Sequence, residues 1–258
     1  MSSYLVTGAS GGMGSAICRM LAEGGHRVWG IDRQETDGVI GADITSLPAL
    51  LSALERIRTE AGALDGIIHT AGVYDLASLA EMPEADFVRD FDINLFGLFR
   101  VNQVFLPLLK EHGRIVIISS ELAPLHPLPF TGIYGITKAA VERYAEALRM
   151  ELQLLGHQVI VLRPGAVRTG MLSVSTEKLN AFCAGTKRYR CSAARFMRIV
   201  DRIEARSVPP EKIAEAVDRA LRVRRPRLVY CVNRNPLLLL MNALPKRLQL
   251  MIIRRILE

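Results

Sequence analysis

The chain has 258 residues, 50% apolar and 23% charged, which excludes a disordered tail, a collagen-like fibre and a disulfide miniprotein and fits one large α/β domain spanning residues 1–258. The formal net charge of +7 is uneven, because residues 1–170 hold 14 Lys/Arg against 19 Asp/Glu and residues 171–258 hold 19 against 7. A basic segment of that kind can serve a nucleic-acid or membrane surface, but solvated charge on surface helices explains it more simply, and without a nucleic-acid motif no nucleic acid is expected as a partner.

Along the chain, β-rich runs alternate with stretches of helical period. Residues 4–7 read as a strand that runs straight into a glycine-rich turn instead of a cleavage site, so no signal peptide is expected. A helix over 14–23, a strand over 27–31, a short strand near 39–42, a helix over 46–60 and a strand over 66–70 follow. The pattern then predicts a helix over 85–109, a strand over 114–119, a helix over 133–155 and a strand over 158–162. Residues 170–208 have mixed polarity and no clean period, which suits a mobile lid over a ligand site. A helix over 210–223 and a strand over 227–231 complete the alternation. Most strands are continuous apolar runs, which implies burial on both faces, so the expected fold is a doubly wound parallel sheet.

Residues 236–258 combine Leu, Ile and Met with Lys246, Arg247, Arg254 and Arg255 at helical spacing. They predict an amphipathic helix or helix pair that could rest on the body, a second subunit or a membrane surface. Their longest apolar stretch is ten residues interrupted by Asn242, short of the roughly 20 that span a bilayer. Cys18, Cys183, Cys191 and Cys231 form no C-x-x-C pair, so neither a metal site nor a disulfide framework is suggested. A cytoplasmic protein with reduced thiols is the reading, with peripheral membrane contact left open.

The segment Thr7-Gly8-Ala9-Ser10-Gly11-Gly12-Met13-Gly14 joins the first strand to the first helix. Glycines there let backbone approach a ligand and let the helix pack close to the strand, and a pyrophosphate would meet the positive end of that helix. A tight turn needs glycines for its own geometry, so the signal is weak until Asp32 is added. Asp32 ends the second strand 24 residues after Gly8, where a carboxylate can accept both hydroxyls of an adenine ribose and repel a 2′-phosphate. NAD is therefore the expected cofactor, with NADP left open because Arg33 could attract a phosphate.

Tyr134 and Lys138 lie four apart at the start of a predicted helix, on one face about a turn apart. The ammonium is expected to depress the phenol pKa. Ser119 and Ser120 end the fifth strand, where a hydroxyl can point over the carboxyl edge of the sheet. Together these residues make the sequence resemble the short-chain dehydrogenase/reductase family over roughly residues 4–170. TGASGGMG (7–14) matches its T-G-x-x-x-G-x-G, followed by Asp43 in ADIT, Ala71-Gly72 in HTAG, Asn94 in NLFG, Ser120 in IISS, YGITK (134–138) and Arg163 through Thr169 in RPGAVRT.

That resemblance implies a Rossmann fold and an NAD(P)-dependent enzyme interconverting an alcohol and its carbonyl. It implies Tyr134 as general acid/base, Lys138 as ribose ligand and modulator of the tyrosine, Ser120 as partner of the substrate oxygen and Asn94 as holder of a relay water. Val167 and Thr169 would orient the nicotinamide carboxamide. Gly8, Ser10, Gly12, Met13, Gly14, Asp32, Arg33, Asp43, Ile44, Ala71, Gly72, Pro164 and Gly165 would complete the cofactor site. A homodimer or homotetramer packed through the helices beginning at Ala85 and Ile133 is also implied.

The sequence departs from the family pattern at three places. HTAG stands where two asparagines are usual, so His69 and Thr70 have to support the sheet differently, with His69 structural instead of catalytic. Ser120 lies 14 residues before Tyr134 where 13 is commoner, which leaves Ser119 as the lesser alternative. Only ten residues separate Asp32 from Asp43, too few for a helical crossover, so the adenine side is expected to be exposed. Leu122, Leu125, Leu128 and Phe130 after Ser120, with Met171, Leu172, Phe182, Phe196 and Met197 in the lid, suggest an apolar pocket. A bulky hydrophobic substrate of steroid, bile acid, retinoid or long-chain type leads on that ground, and Lys187, Arg188 and Arg190 could attract an acidic tail. A non-catalytic dinucleotide sensor and an epimerase or dehydratase relative are the alternatives.

Overall fold

The computed structural model describes residues 1–258, with the side chains of residues 171–175 and 204 outside the description. Seven parallel strands form one sheet: β1 (Ser3–Thr7), β2 (Arg27–Asp32), β3 (Val39–Gly41), β4 (Leu64–His69), β5 (Leu109–Ile118), β6 (Gln158–Pro164) and β7 (Val229–Val232). Their spatial order is β3-β2-β1-β4-β5-β6-β7, so the strand order reverses between β1 and β4, and the carboxyl ends flank the crevice where ligands bind in such sheets.

The continuous apolar runs are explained by two packed layers. Leu5, Ile67, Ile115, Ile117, Val159 and Val161 face one way, against α2 (Leu47–Ala61), α4 (Leu98–Phe105) and α5 (Gly132–Leu152). The intervening Tyr4, Val6, Ile68, Val116, Ile118, Ile160 and Leu162 face α1 (Gly12–Glu23) and α8 (Glu211–Arg222). Alternate residues of each strand thus bury on opposite faces, which the period-2 pleat requires of a sheet covered on both sides.

Two expectations change, and two others hold in finer detail. The helix expected over 85–109 is interrupted: α3 (Glu84–Phe91) passes into a π-helical turn (Asp92–Gly97), then α4 and a short 3₁₀ turn, and Leu109 already belongs to β5. The single residue that a π turn adds is invisible to a 3.6-residue pattern, and such turns cluster at functional positions. Between β2 and β3 the chain needs only residues 33–38, all exposed, because β3 is a three-residue edge strand reached by a turn at Gly38.

The segment read as a lid is regular: α6 (Gly170–Gly185) and α7 (Arg190–Glu204) occupy residues expected to lack periodic structure. They pack through Leu179, Phe196 and Val200 onto Leu76 and Phe130, making a third small core that a local pattern does not reveal. Finally, residues 236–257 resolve into two helices, α9 (Pro236–Ala243) and α10 (Lys246–Leu257). Among the described residues no helix is long and apolar enough to cross a membrane.

Candidate active site

The glycine turn after β1 has the shape of a phosphate cradle. Gly8 adopts φ +67°, a conformation strained for any side chain. A Cβ at Gly14 would lie 2.0 Å from the Gly8 carbonyl oxygen, so α1 approaches the strand closely only because that atom is missing. Gly11 gives α1 no side-chain cap and its first turn carries no acid, leaving its amino end open to an anion. Asp32 stands at the rim, its Oδ2 accepting from the Ser10 N–H at 2.9 Å and its Oδ1 from the Arg33 N–H at 2.7 Å. Asp43 accepts from the Thr45 N–H and hydroxyl, both at 2.8 Å, and turns the chain toward α2 with Ile44 buried beside it. These groups fit a dinucleotide.

Beyond β4, β5 and β6 lies a cavity of about 150 Å³. Met13, Gly72, Ser120, Tyr134, Lys138, Pro164, Gly165, Val167 and Thr169 all line it. The two serines are told apart: the Ser119 hydroxyl turns into the body and donates to Glu142 at 2.9 Å, whereas Ser120 is hydrogen-bonded to the Tyr134 phenol. Asn94 sits buried in the π turn, its amide braced on both backbone groups of Val73 (2.8 and 3.1 Å) and donating to Thr137 Oγ1 at 3.1 Å. The Thr137 hydroxyl donates in turn to the Tyr134 carbonyl at 3.0 Å. With both its amide N–H groups engaged, the Asn94 side chain first of all ties Val73 to the start of α5.

The expected effect of Lys138 on the tyrosine is corrected. The Tyr134 phenol is pushed up to about 12, chiefly by burial, with the Ser120 hydrogen bond pulling the other way and the Glu121 carboxylate adding to the rise. Lys138 is itself pushed down to about 8 by burial, against the opposing pull of Glu142. Its Nζ donates to the Ile118 carbonyl at 3.1 Å and lies 5.8 Å from the tyrosine ring centroid. Desolvation disfavours the charged form of both groups and sets the direction of both shifts.

The family model described as short chain dehydrogenase matches residues 3–180. The chain is a short-chain dehydrogenase/reductase. It is 29% identical over 220 residues to a 3-ketodihydrosphingosine reductase of Bacteroides thetaiotaomicron, covering 83% of this chain and 81% of that protein. It is 28% identical over 252 residues to an NADPH-dependent 3-dehydrocapnine reductase of Ornithobacterium rhinotracheale, covering 90% and 88%. A short-chain dehydrogenase structure from Streptomyces avermitilis superposes with a TM-score of 0.75 at 25% identity over 90% of this chain and 88% of that one.

Within this short-chain dehydrogenase/reductase, the unusual HTAG segment is explained by hydrogen bonding. The Thr70 hydroxyl donates to the Thr7 carbonyl at 2.6 Å, and Thr7 Oγ1 accepts from the N–H groups of Thr70 and Ala71, both at 3.2 Å. His69 is buried with Nε2 2.9 Å from Asn102 Oδ1, and Asn102 donates to the Tyr144 hydroxyl at 3.0 Å. His69 does not line the cavity. Burial pulls its pKa from 6.5 to about 4, the Asn102 hydrogen bond opposing. Because the folded value lies below the unfolded one, the unfolded chain binds the extra proton, and stability falls as pH drops from about 6.5 to about 4. That interval corresponds to roughly 3 kcal/mol at most. Thermal melts across this range should show a steep acid limb that flattens in His69→Asn; equal limbs in both proteins would refute the burial of a neutral imidazole.

The substrate end differs from the sequence expectation in its details. Leu122, Leu128 and Phe196 do line the cavity, but Leu125 borders a smaller neighbouring one. Phe130, Phe182 and Met197 belong to the packing of the lid, with Phe130 at the centre of an aromatic cluster. The side chains of Met171 and Leu172 lie outside the described residues. Lys187, Arg188 and Arg190 do not line the cavity; the turn between α6 and α7 is held by Glu81, which accepts from the Thr186 hydroxyl at 2.6 Å and the Arg188 N–H at 3.2 Å.

Sequence reasoning missed Tyr74, whose ring meets that of Tyr134 edge-on at 4.5 Å, together with Ile199, Val200 and Ile203 of α7 and Leu238 of α9. It also missed Glu121, a buried carboxyl pushed up by desolvation, whose Oε2 accepts from the Asn235 N–H at 2.7 Å and ties the start of α9 to the site. An acid placed directly after IISS was the available signal.

Proposed function

We propose that this enzyme reduces the carbonyl of a bulky hydrophobic substrate to the alcohol, with a nicotinamide dinucleotide as the second reactant. The observation that carries the reading is the meeting of Ser120, Tyr134 and Lys138 in an apolar cavity adjoining the phosphate turn. A bound nicotinamide would supply the hydride that the carbonyl carbon gains. Ser120 holds the substrate oxygen, and the Tyr134 phenol, protonated at neutral pH because its pKa stands at about 12, delivers a proton to it as the alkoxide develops. Lys138, which donates to the Ile118 carbonyl, would hold a ribose hydroxyl of the dinucleotide and keep a positive charge near the reacting oxygen. The names of the reductases of B. thetaiotaomicron and O. rhinotracheale support a long-chain ketone among the hydrophobic classes.

Asp32 favours NADH, since its carboxylate is held at the ribose end of the turn by two backbone N–H groups and would repel a 2′-phosphate. The test is consumption of NADH and NADPH, followed by absorbance, against a panel of long-chain ketones, retinoids and ketosteroids. Turnover of an apolar ketone with NADH preferred is expected. In Asp32→Ala, with Arg33 retained, the ratio of NADPH to NADH efficiency should rise by about one to two orders of magnitude, the size of a lost charge contact in a cofactor site. No turnover with any member sinks the substrate class, and a ratio unmoved by the substitution sinks the role of Asp32.

A homo-oligomer is supported by the outer face of the helices around the π turn and α5, where Phe96, Phe99 and Ile136 remain exposed and would be covered by a second copy. Sedimentation should give a mass above that of the 28.5 kDa chain; a monomer at micromolar concentration would remove this assignment.

A further inference from the structure

The helix pair α9–α10 presents an apolar surface that the rest of the chain leaves open. On α9 no side chain carries a charge, and none of its residues is fully buried; Leu237 and Leu240, one turn apart, are 64% and 63% exposed. On α10, Leu250 and Met251 are exposed in the same manner, while Ile253 and Leu257 turn inward against the lid. The corner between the helices is rigid: Gln249 is buried and donates to the Asn242 and Leu244 carbonyls at 3.2 and 2.7 Å, and Asn242 Oδ1 accepts from the His126 N–H at 2.8 Å. The open leucines are therefore held in place by the fold and are not a frayed tail.

The charges around this surface have one sign. Residues 234–258 contain Arg234, Lys246, Arg247, Arg254 and Arg255 and a single acid, Glu258, which is already paired to Arg254 at 2.6 Å. Arg247 and Arg254 lie about one turn before and one turn after Leu250 and Met251 on the same stripe of α10, an arrangement in which aliphatic stems enter an apolar phase while the guanidinium groups stay at its polar border.

We infer that the exposed face of α9–α10 docks this enzyme on an anionic lipid surface. A second copy of the chain is disfavoured as occupant, because an isologous contact would set these cations against one another, whereas an acidic leaflet complements them. The same helix reaches the reaction chamber: Leu238, between the two open leucines, lines the catalytic cavity, and Leu238, Met241 and Ile253 border the small cavity beside it. Docking would thus place the cavity next to the phase in which an apolar substrate dissolves. The inference does not rest on the substrate reading, since lipid binding is measured without turnover.

The experiment is co-sedimentation of the full chain with phosphatidylcholine vesicles, with and without phosphatidylglycerol, over a range of salt. Binding to the anionic vesicles alone, released by salt, is expected. Leu237→Ser with Leu240→Ser, and separately Lys246→Glu with Arg247→Glu, should each weaken it at least about ten-fold, with unfolding midpoints retained because all four side chains are exposed. Absence of binding to anionic vesicles, or equal binding by the variants, overturns the proposal. So does a leucine variant that changes the sedimenting mass of the protein while binding vesicles as the parent does, since the face would then belong to a second copy.

Discussion

Replacing Tyr134 by Phe is expected to lower kcat for carbonyl reduction by about 10²- to 10⁴-fold, the usual contribution of a positioned proton donor, while the dissociation constant for the dinucleotide changes by no more than a few-fold. The phenyl ring keeps its edge-on contact with Tyr74 and its place at the start of α5. The Ser120 hydroxyl, which loses one partner, still accepts from the Leu122 N–H at 3.2 Å. The loss is therefore chemical and not structural. Stopped-flow absorbance of NADH separates the two, because binding and turnover are read in one experiment. Turnover within ten-fold of the parent would remove Tyr134 from the reaction, and with it the proton path from a buried phenol. Tight dinucleotide binding with no turnover by the parent on any carbonyl would instead point to a sensor.

Gly14→Val should remove dinucleotide binding altogether and lower stability by more than the roughly 1–3 kcal/mol of ordinary overpacking. The added Cβ would meet the Gly8 carbonyl oxygen at 2.0 Å and the Thr70 hydroxyl at 2.8 Å, and two of the three atoms in the way are backbone of the turn itself. Relief requires α1 to slide off the sheet, carrying its open amino end away from the phosphates. Gly185→Ala is the matched control, with nothing within 4 Å of the new atom and an expected change within about 0.5 kcal/mol. Nucleotide-quenched Trp29 fluorescence and thermal melts check both variants; an unaltered Gly14→Val protein would contradict the close packing of α1 on β1.

Much of the architecture was readable before any coordinates. The seven strands were recognisable because each is a short apolar run bounded by turn residues, and burial on both faces writes that pattern directly into the chain. The phosphate turn, Asp32, Ser120, Tyr134 and Lys138 were readable for a different reason, since their chemistry depends on residue type at fixed offsets from strand ends. The exposed six-residue link before β3 followed from simple counting.

Other features resisted such reading. The π turn holding Asn94 differs from an α-helix by one residue in the backbone register and leaves no mark on hydrophobic period. The lid helices α6 and α7 bury their apolar sides against Leu76 and Phe130, more than forty positions away in sequence, so their partners could not be inferred from the segment itself. Which leucines and phenylalanines meet substrate and which fill the lid core is likewise a matter of orientation.

By itself the sequence determined the sheet, its helical covering and the motifs that carry the proposed reacting groups, because these depend on neighbours within a few residues. Only the tertiary structure decided the direction in which the pKa values of Tyr134 and Lys138 move. Desolvation is set by whatever segments close over a side chain, and here burial shifts the Tyr134 phenol up and the Lys138 ammonium down, the reverse of the tyrosine shift that the four-residue spacing suggested.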